Sequence, residues 1–343
     1  MTAALVFDTC VLPQKGGLTE NPLLSALLRI AKLRDCRVLI SDMARVESLG
    51  ARRRAAAAAV DNLRSAIRSA AKYFDSDQLD YYLPSEVDAV QRWERELEVL
   101  ESIPLEGEDA IEALRREAER VAPARATSDG SAIGSRDAAI WLSVKRLHLG
   151  AEGAATYFVS NNYADFADPK DKRRLRPELR AELGLAAETF FFYGTLSSAV
   201  EAMAEPAVCR AIGEEELDKL TAESNLTDLI WEAADREVAV PSERVVLMTG
   251  FEILDAQEVR AFNVDGTRLA MWEAEFLFEK VDGVDILDDG VRRAFEGSAR
   301  LWVYELNGEP SVELDSLKAL RPTDRGLGSG NDSGESEVAD ETL

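Results

Sequence analysis

The chain is 343 residues long, 46% of them hydrophobic, and carries a formal net charge of −24. That length suits two ordinary domains with real hydrophobic cores. So strong a negative charge repels nucleic acid at long range, and such a partner would need a locally basic surface or metal ions. With one histidine, His148, and three scattered cysteines, the composition argues against a histidine-based triad or a zinc site, which leaves carboxylates to supply acid–base or metal chemistry.

The first part of the chain alternates short apolar runs with segments of helical periodicity. AALVF at 3–7 is typical of a buried strand and ends directly before Asp8, whereas PLLSALLRIAKLR at 22–34 has its apolar residues at helical spacing. Strands are predicted at 3–7, 36–41, 155–160 and 189–194, and helices at 22–34, at 42–73, within a polar helical insertion at 75–133, and from Asp137 onward. Within the insertion, the composition of APARATSDGSA at 122–132 predicts a loop. This order predicts an α/β fold for residues 1–196, with a parallel sheet flanked by helices. His148, near the end of the last of these helices, is expected at the surface, where a cation close to a helix C-terminus is favourable.

The second part of the chain contains three segments that differ in their hydrophobic pattern and composition. Residues 197–240 have helical periodicity and are interpreted as a helical connector, and residues 241–321 predict a small, mostly antiparallel β domain with one helical turn near 290–296. Hairpin turns are predicted at NVDGT and LNGEP, where glycine supplies a positive φ. The residues expected in the core of this domain are Trp272, Phe276, Phe278 and Trp302. Residues 322–343 lack apolar residues for a core and are predicted to be a disordered acidic tail.

Four acidic residues occupy corresponding places in the predicted α/β unit. Asp8 and Asp165 follow strands, while Glu47 and Asp137 lie in the first turns of helices next to strands. All four can reach one edge of a parallel sheet, where ligand sites of such folds lie. Clustered carboxylates repel one another unless a cation neutralises them, and Mg²⁺ and Mn²⁺ prefer oxygen ligands. The set therefore predicts a divalent-metal site.

Each of these acids also has a purely structural explanation. Asp8 could cap a helix, Asp137 could be a helix N-terminal acid favoured by the dipole, and Asp165 could be a turn residue. Glu47 could be a solvated helix carboxylate. Only the ordered set of four favours the functional interpretation.

The same segments resemble the PIN domain family, and most closely its larger bacterial members. VFDTCVL is similar to the opening strand and Asp of that family, with Cys10 in place of its usual Asn, and VLISDMARVE resembles the segment that ends on its Glu. GSRDAAIWLSV is similar to the stretch with the central Asp. YFVSNNYADFAD resembles the strand and loop that follow, with Ser160 matching a Thr, Asp165 matching an Asp, and Asn162 near a position that is acidic in many members. The resemblance covers residues 4–170 with a long insertion between Glu47 and Asp137.

The resemblance implies a Mg²⁺- or Mn²⁺-dependent endoribonuclease that hydrolyses RNA phosphodiester bonds. It implies that Asp8, Glu47, Asp137 and Asp165 are catalytic metal ligands, with Asn162 offering a carbonyl oxygen as a further ligand. Family members include toxin halves of toxin–antitoxin pairs and RNA-processing enzymes, so an antitoxin or other protein partner and a homodimer are among the partners considered. The alternatives are a catalytically weak PIN-like scaffold that binds RNA or a protein, and a structure-specific DNA nuclease.

Two basic runs flank the acidic residues in sequence. Such clusters are the electrostatic footprint of phosphate binding, although two solvated helix faces would have the same pattern. The residues predicted to contact RNA are Arg52, Arg53, Arg54, Arg136, Lys172, Arg173, Arg174 and Arg176.

The sequence also indicates a compartment. Cys10, Cys36 and Cys209 are an odd number without metal-type spacing, which argues against a disulfide framework and for a reducing, cytoplasmic location. The start of the chain has no signal-peptide pattern, and no stretch approaches the ~20 apolar residues of a membrane span, so no membrane association is expected. The abundance of Ala and Arg suggests a bacterial genome rich in GC.

Overall fold

The computed structural model describes residues 2–72, 84–151, 153–237, 245–283, 291–306 and 309–323. The chain divides into two compact units. The first consists of Met1–Pro206 with Asn263–Gly266, and the second of Ala207–Phe262 with Thr267–Leu343. Along the part of the chain that is described, no helix is long and apolar enough to cross a membrane.

A five-stranded parallel sheet forms the centre of the first unit, in the strand order β3-β2-β1-β6-β7. β1 (Ala4–Phe7) is buried along its whole length and pairs with β2 (Arg37–Ser41) on one side and β6 (Thr156–Val159) on the other. Strands of parallel sheets are apolar throughout because helices cover both faces, which explains the uninterrupted run ALVF. The predicted α/β fold with a parallel sheet is confirmed.

The remaining elements of the first unit complete this sheet or flank it. In chain order they are α1 (Pro22–Leu33), α2 (Asp42–Ala70), α3 (Glu86–Glu96), β3 (Glu101–Ile103), α4 (Gly107–Glu119), β4 (Arg125–Ala126), β5 (Ala132–Ile133), α5 (Ser135–Gly150), α6 (Tyr163–Phe166), α7 (Pro177–Leu183), β7 (Phe190–Tyr193) and α8 (Leu196–Met203).

Local sequence signals set where the helices begin. Pro22 occupies the first turn of α1, and the Asn21 side chain accepts a hydrogen bond from the Leu24 amide at 3.0 Å. Ser41 ends β2 and caps α2 by accepting from the Ala44 amide at 3.1 Å. The tight passage from β2 into α2 places Glu47 less than two turns from the sheet edge.

Two predictions for the first unit are wrong. The segment 75–133 was expected to be helical apart from a loop at 122–132, yet Glu101–Ile103 forms β3 beside β2, and Arg125–Ala126 pairs with Ala132–Ile133 in a small hairpin at the position of that loop. Strands of two or three residues are too short to have a periodicity. Residues 75–83 of this segment lie outside the described part.

His148 is buried rather than exposed at the surface. One ring nitrogen lies 2.9 Å from the Thr156 hydroxyl and the other 2.8 Å from the Ala186 carbonyl, and the ring meets Phe190 edge-on. The 3₁₀ turn Gly184–Thr189 supplies that carbonyl at the end of α5, so a position that helix periodicity places at a surface is enclosed.

The second unit contains an antiparallel sheet whose strand order is β12-β11-β10-β9-β8. The strands are β8 (Glu205–Ala207), β9 (Val245–Val264), β10 (Thr267–Gly283), β11 (Val291–Leu306) and β12 (Glu309–Thr323). The helices of this unit are α9 (Glu214–Glu223) and α10 (Leu226–Glu237). The predicted antiparallel β domain is confirmed, as are its four aromatic core residues, all of which are buried. Asp265 and Gly266 both have positive φ in the turn between β9 and β10, which fits a two-residue hairpin.

The helical turn predicted near 290–296 is wrong, because residues from Val291 onward belong to β11. Phe295 is buried in the core beside Phe278, at 5.3 Å between ring centroids, so its segment is held by strand packing. Of the helices predicted over 197–240, α8 lies in the first unit, and α9 and α10 lie in the second. The predicted acidic tail lies outside the described residues from position 324 onward, as do residues 307 and 308 of the LNGEP turn.

Candidate active site

The carboxyl ends of three parallel strands bring acidic side chains to one edge of the first sheet. Asp8 directly follows β1, Asp165 lies in α6 just after β6, and Glu47 lies in α2 after β2. Asp137 joins them from the first turn of α5. Strand ends of a parallel sheet open onto a shared crevice, which is why residues 157 positions apart in the chain become neighbours.

Asp8 is buried and held by several donors. Its Oδ1 accepts the Thr9 amide at 2.7 Å, and its Oδ2 accepts the Ser160 hydroxyl at 2.6 Å and the Cys10 thiol at 3.1 Å. Burial raises the pKa of the Asp8 carboxyl, and the charge on Glu47 adds to that rise, while the three donors act in the opposite direction. The carboxylate is therefore fixed in orientation in a place where a nearby positive charge would favour its ionised form.

Asp137 faces the other three acids. Burial, followed by the negative charges of Asp165, Asp8 and Glu47, raises the pKa of Asp137 to about 7. The Asn162 amide nitrogen donates to Asp137 Oδ1 at 2.8 Å and partly offsets this rise. Burial is the larger cause of this rise, and the contributions of Asp165, Asp8 and Glu47 place those three carboxylates near Asp137.

Two arginines already compensate part of this negative charge. Arg125, from the small hairpin, places its Nε 2.8 Å from Asp165 Oδ1, and Arg136 places Nη1 2.7 Å from Glu47 Oε1. The Thr9 hydroxyl also donates to Glu47 Oε2 at 3.1 Å. Arg136 is 70% exposed, so it can leave Glu47 without opening the core.

The chemistry of the donor set fits a hard divalent cation. The acids supply oxygen ligands, two of them have raised pKa values, and their repulsion is the kind that a cation removes. Nevertheless, among the described residues no three Asp, Glu, His or Cys side chains already have the spacing of a metal site. Asp165 is paired with Arg125 and Glu47 with Arg136, so each of these carboxylates faces a guanidinium.

Cys10 and Asn162, the two residues that differ from the motifs of the resembling family, both contact the acidic cluster. Cys10 takes part in holding Asp8 and receives the Asn161 amide at 3.2 Å. Burial, together with the charge on Asp8, raises the pKa of the Cys10 thiol, which keeps it a neutral donor. Asn162 uses its amide nitrogen on Asp137, so it contacts the cluster as a donor.

The predicted RNA-binding residues of α2 divide into two kinds. Arg52 donates to the carbonyls of Pro13 and Gly16, at 3.2 and 2.8 Å, and its guanidinium lies 4.1 Å from the centroid of the Trp93 ring. It therefore connects α2 with the loop after β1 and with α3. Arg53 and Arg54 are exposed.

The second basic run forms a loop directly after the acidic α6. The Lys172 ammonium lies 5.4 Å from the centroid of the Tyr163 ring, and Arg176 is within 3.5 Å of the Ala164 carbonyl. Arg173 and Arg174 share one carboxylate, Asp171, at 3.0 and 3.3 Å. Because these two guanidinium groups pair with a single carboxylate, the loop after α6 keeps a net positive charge.

Sequence reasoning missed Arg125 as a partner of the cluster. It lies in APARATSDGSA, which composition identifies only as a loop, and no motif connects it with Asp165. Thr9 was also missed, although it stands directly beside Asp8 and could have been considered as a second hydrogen-bonding group.

Fold and site together define an α/β domain with an acidic cluster at the carboxyl edge of its parallel sheet. Residues 5–166 match the sequence model of the PIN domain, which supports a PIN-like domain in this part of the chain. PIN domains are generally nucleases, act on RNA in many cases, and typically use divalent metals. No curated protein and no solved structure matches the chain.

Proposed function

We propose that the first unit is a divalent-metal-dependent endoribonuclease whose metal ligands are Asp8, Glu47, Asp137 and Asp165. The observation that carries the proposal is the convergence of these four acids at the carboxyl edge of the parallel sheet, where burial and the three neighbouring carboxylates raise the pKa of Asp137. Such a cluster is costly in a folded protein unless a cation binds there. Mg²⁺ or Mn²⁺ is the cation whose ligand preference fits.

When bound, a divalent cation supplies an activated water and neutralises phosphate charge during in-line displacement. The chain's own residues prepare for it. Ser160, Cys10 and Thr9 fix the orientation of Asp8, and Asn162 fixes that of Asp137. Arg136 is exposed beside Glu47, so its guanidinium can turn to an RNA phosphate once a cation binds Glu47.

The test is cleavage of an end-labelled single-stranded RNA by the full chain, with Mg²⁺, Mn²⁺ or EDTA. Internal cuts that require metal and that disappear in Asp8→Asn and Asp137→Asn support the proposal. Asp61→Asn is the matched control, because Asp61 is an exposed acid on α2 paired with Arg64. Cleavage in EDTA, or cleavage retained in both cluster variants, contradicts it. A parallel arm with flapped DNA separates an RNA enzyme from a DNA nuclease.

A second candidate function is a PIN-like scaffold that binds RNA or a protein without cutting. The ion pairs Arg125–Asp165 and Arg136–Glu47 favour it, because two of the four acids already have cationic partners. Calorimetric titration with Mn²⁺ distinguishes the two functions. Uptake that is lost in Asp137→Asn favours the nuclease, and no uptake at the cluster favours the scaffold.

The cellular role is a separate question from the chemistry. A toxin of a toxin–antitoxin pair arrests growth when it is expressed, and a neighbouring gene relieves the arrest. Expression of the chain and of Asp137→Asn side by side tests this role. Growth that is equal in both strains counts against a toxin and leaves RNA processing or defence.

A further inference from the structure

An aromatic surface lies on the last strand of the first sheet. β7 (Phe190–Tyr193) pairs with β6 and stands at the end of the strand order, so it is an edge strand. Phe190 and Phe192 point into the core, and Phe191 and Tyr193 alternate with them on the other face. Tyr157 of β6 stacks on both, with ring centroids 5.3 Å from Phe191 and 6.4 Å from Tyr193.

Phe191 is unusually exposed for a large apolar side chain in a strand, at 41%. Phe191 and Tyr193 are two residues apart on one face of a strand, a separation of roughly 6.5–7 Å. Their rings are nearly parallel to Tyr157, with interplanar angles of 20° and 19°. The edge therefore offers flat aromatic surfaces whose orientation is already fixed by the sheet.

Three arginines adjoin these rings. Arg173, Arg174 and Arg180 line a cavity of about 180 Å³ together with Phe191 and Tyr193. The arginine side chains are 89%, 78% and 55% exposed, and their carboxylate partners are the shared Asp171 and, at 3.6 Å, the exposed Glu188. Such exposed ion pairs contribute little and are easily exchanged for another anion.

This surface is a locally basic part of an acidic protein. Positions 170–180 contain six Lys or Arg and two acidic residues, a net charge of +4 in a chain whose total is −24. The surface also continues to the acidic cluster. Gly194, at the end of β7, lies so close to Tyr163 that an added Cβ would be 2.5 Å from its ring, and Tyr163 begins α6, which carries Asp165.

We propose that the cleft formed by Phe191, Tyr193, Arg173, Arg174 and Arg180 binds the single-stranded RNA that flanks the cleavage point. Unpaired bases stack on the two rings while the guanidinium groups contact the phosphates. This combination of aromatic platforms with a basic groove is how single strands are bound without sequence preference. The identity of the ligand as RNA rests on the proposed function, whereas the preference for single strands follows from the cleft.

The test is fluorescence anisotropy with a labelled oligouridine of about 12 nucleotides, a length suited to such grooves, and the full chain in EDTA. Phe191→Ala is expected to weaken binding about tenfold, since stacking on one ring is worth roughly 1–3 kcal/mol. Arg173→Ala combined with Arg174→Ala is expected to reduce the slope of log affinity against log salt by about 1.4, because each phosphate contact on a single strand contributes about 0.7.

The chain offers matched controls for both changes. Arg64 is an exposed arginine that pairs with an aspartate three residues away, as Arg174 does, and Ile111 is an exposed apolar residue on α4. Arg64→Ala and Ile111→Ala are expected to leave binding unchanged. Phe191→Trp is expected to retain affinity and to show quenching of the new indole by the oligonucleotide, a signal that a purely structural role would not produce.

The outcomes separate this proposal from the nuclease proposal. Equal affinity of the wild type, Phe191→Ala and the double arginine variant overturns the cleft, even where metal-dependent cleavage persists. Loss of binding in the cleft variants without any cleavage by the wild type supports the cleft and contradicts the nuclease. If Phe191→Ala alters self-association of the protein and not RNA affinity, the edge pairs with a second chain and the cleft proposal is wrong.

Discussion

The pKa of Asp137 reflects the burial of its side chain and the charges around it. A lone carboxylate at the start of a helix is stabilised by the helix dipole, which favours the charged form. Here burial and three like charges outweigh that effect and raise the pKa of Asp137 to about 7. Without a bound metal, the protein is therefore less stable when Asp137 is charged. A bound cation would offset this loss of stability, so the loss favours cation binding.

This balance predicts a pH dependence of stability. The ordinary pKa of Asp137 is 3.8 and its folded value is about 7, so between these values the folded protein retains a proton that the unfolded chain has released. The contribution of Asp137 to the free energy of unfolding should fall as pH rises from about 4 to about 7, and Asp137→Asn should remove that contribution to the slope and add about 2 kcal/mol above pH 7. Urea unfolding in EDTA measures it, with Asp61→Asn as control. A variant as pH-dependent as the wild type contradicts the raised pKa.

Arg125 gives a second prediction at the same scale. Its partly exposed guanidinium forms an ion pair with Asp165. It therefore competes with a metal cation for that carboxylate. Arg125→Gln should therefore strengthen Mn²⁺ binding about fivefold, since pairs of this kind contribute up to about 1 kcal/mol.

Electron paramagnetic resonance of free Mn²⁺ measures this change without any need for cleavage. Arg37→Gln is the matched control, because Arg37 forms an exposed ion pair with Glu101 at the opposite end of β2. Weaker Mn²⁺ binding in Arg125→Gln would mean that Arg125 arranges the site, and unchanged binding would remove Asp165 from the ligand set.

At the scale of elements, the start of α5 decides where Asp137 lies. Gly134 precedes this helix with a φ of +116°, and a Cβ there would be 2.7 Å from the Ala124 Cα. Both the backbone conformation and the close approach require glycine. Gly134→Ala should lower the free energy of unfolding by about 1–3 kcal/mol and weaken Mn²⁺ binding, because α5 must shift.

Gly107 provides the control for this substitution. It lies in the first turn of α4, and nothing stands within 4 Å of an added Cβ. Gly107→Ala should be neutral or stabilising by up to about 1 kcal/mol. If Gly134→Ala unfolds no more easily than Gly107→Ala, the contact with Ala124 is not a constraint on the helix.

The length of an element determined whether the sequence could predict it. β1, β2, β6 and β7 are continuous apolar runs, and α1 has its proline and its periodic leucines, so hydrophobic pattern alone places them. β3 has three residues and the β4–β5 hairpin has two in each strand, and no pattern exists at that length. The hairpin nevertheless places Arg125 beside Asp165. The part of the candidate site that the sequence did not predict is therefore the part that the shortest strands position. The four acids were identified only because their order along the chain resembled that of a family.

At the scale of the whole molecule, negative charge is divided unequally. Residues 1–206 contain 27 basic and 32 acidic residues, a net charge of −5, whereas residues 207–343 contain 13 and 32, a net charge of −19. The part of the chain that carries the candidate active site is thus close to neutral. The field that repels RNA comes mostly from the remainder, and it acts over a Debye length.

Removal of distant charge should therefore change the rate at which RNA associates. Residues 324–343 contain six acidic residues and one basic residue, so their deletion brings the net charge from −24 to −19. At about 10 mM salt, where the Debye length is about 30 Å, the deletion should speed association about two- to tenfold, and the difference should shrink at about 0.15 M, where that length is about 8 Å. Stopped-flow mixing with labelled RNA in EDTA measures the association rate.

A control chain keeps all twenty residues but has Asn and Gln in place of their acids, and it should behave like the deletion. Faster association of the deletion alone, independent of salt, would mean that the segment hinders RNA by its bulk and that charge is not the cause.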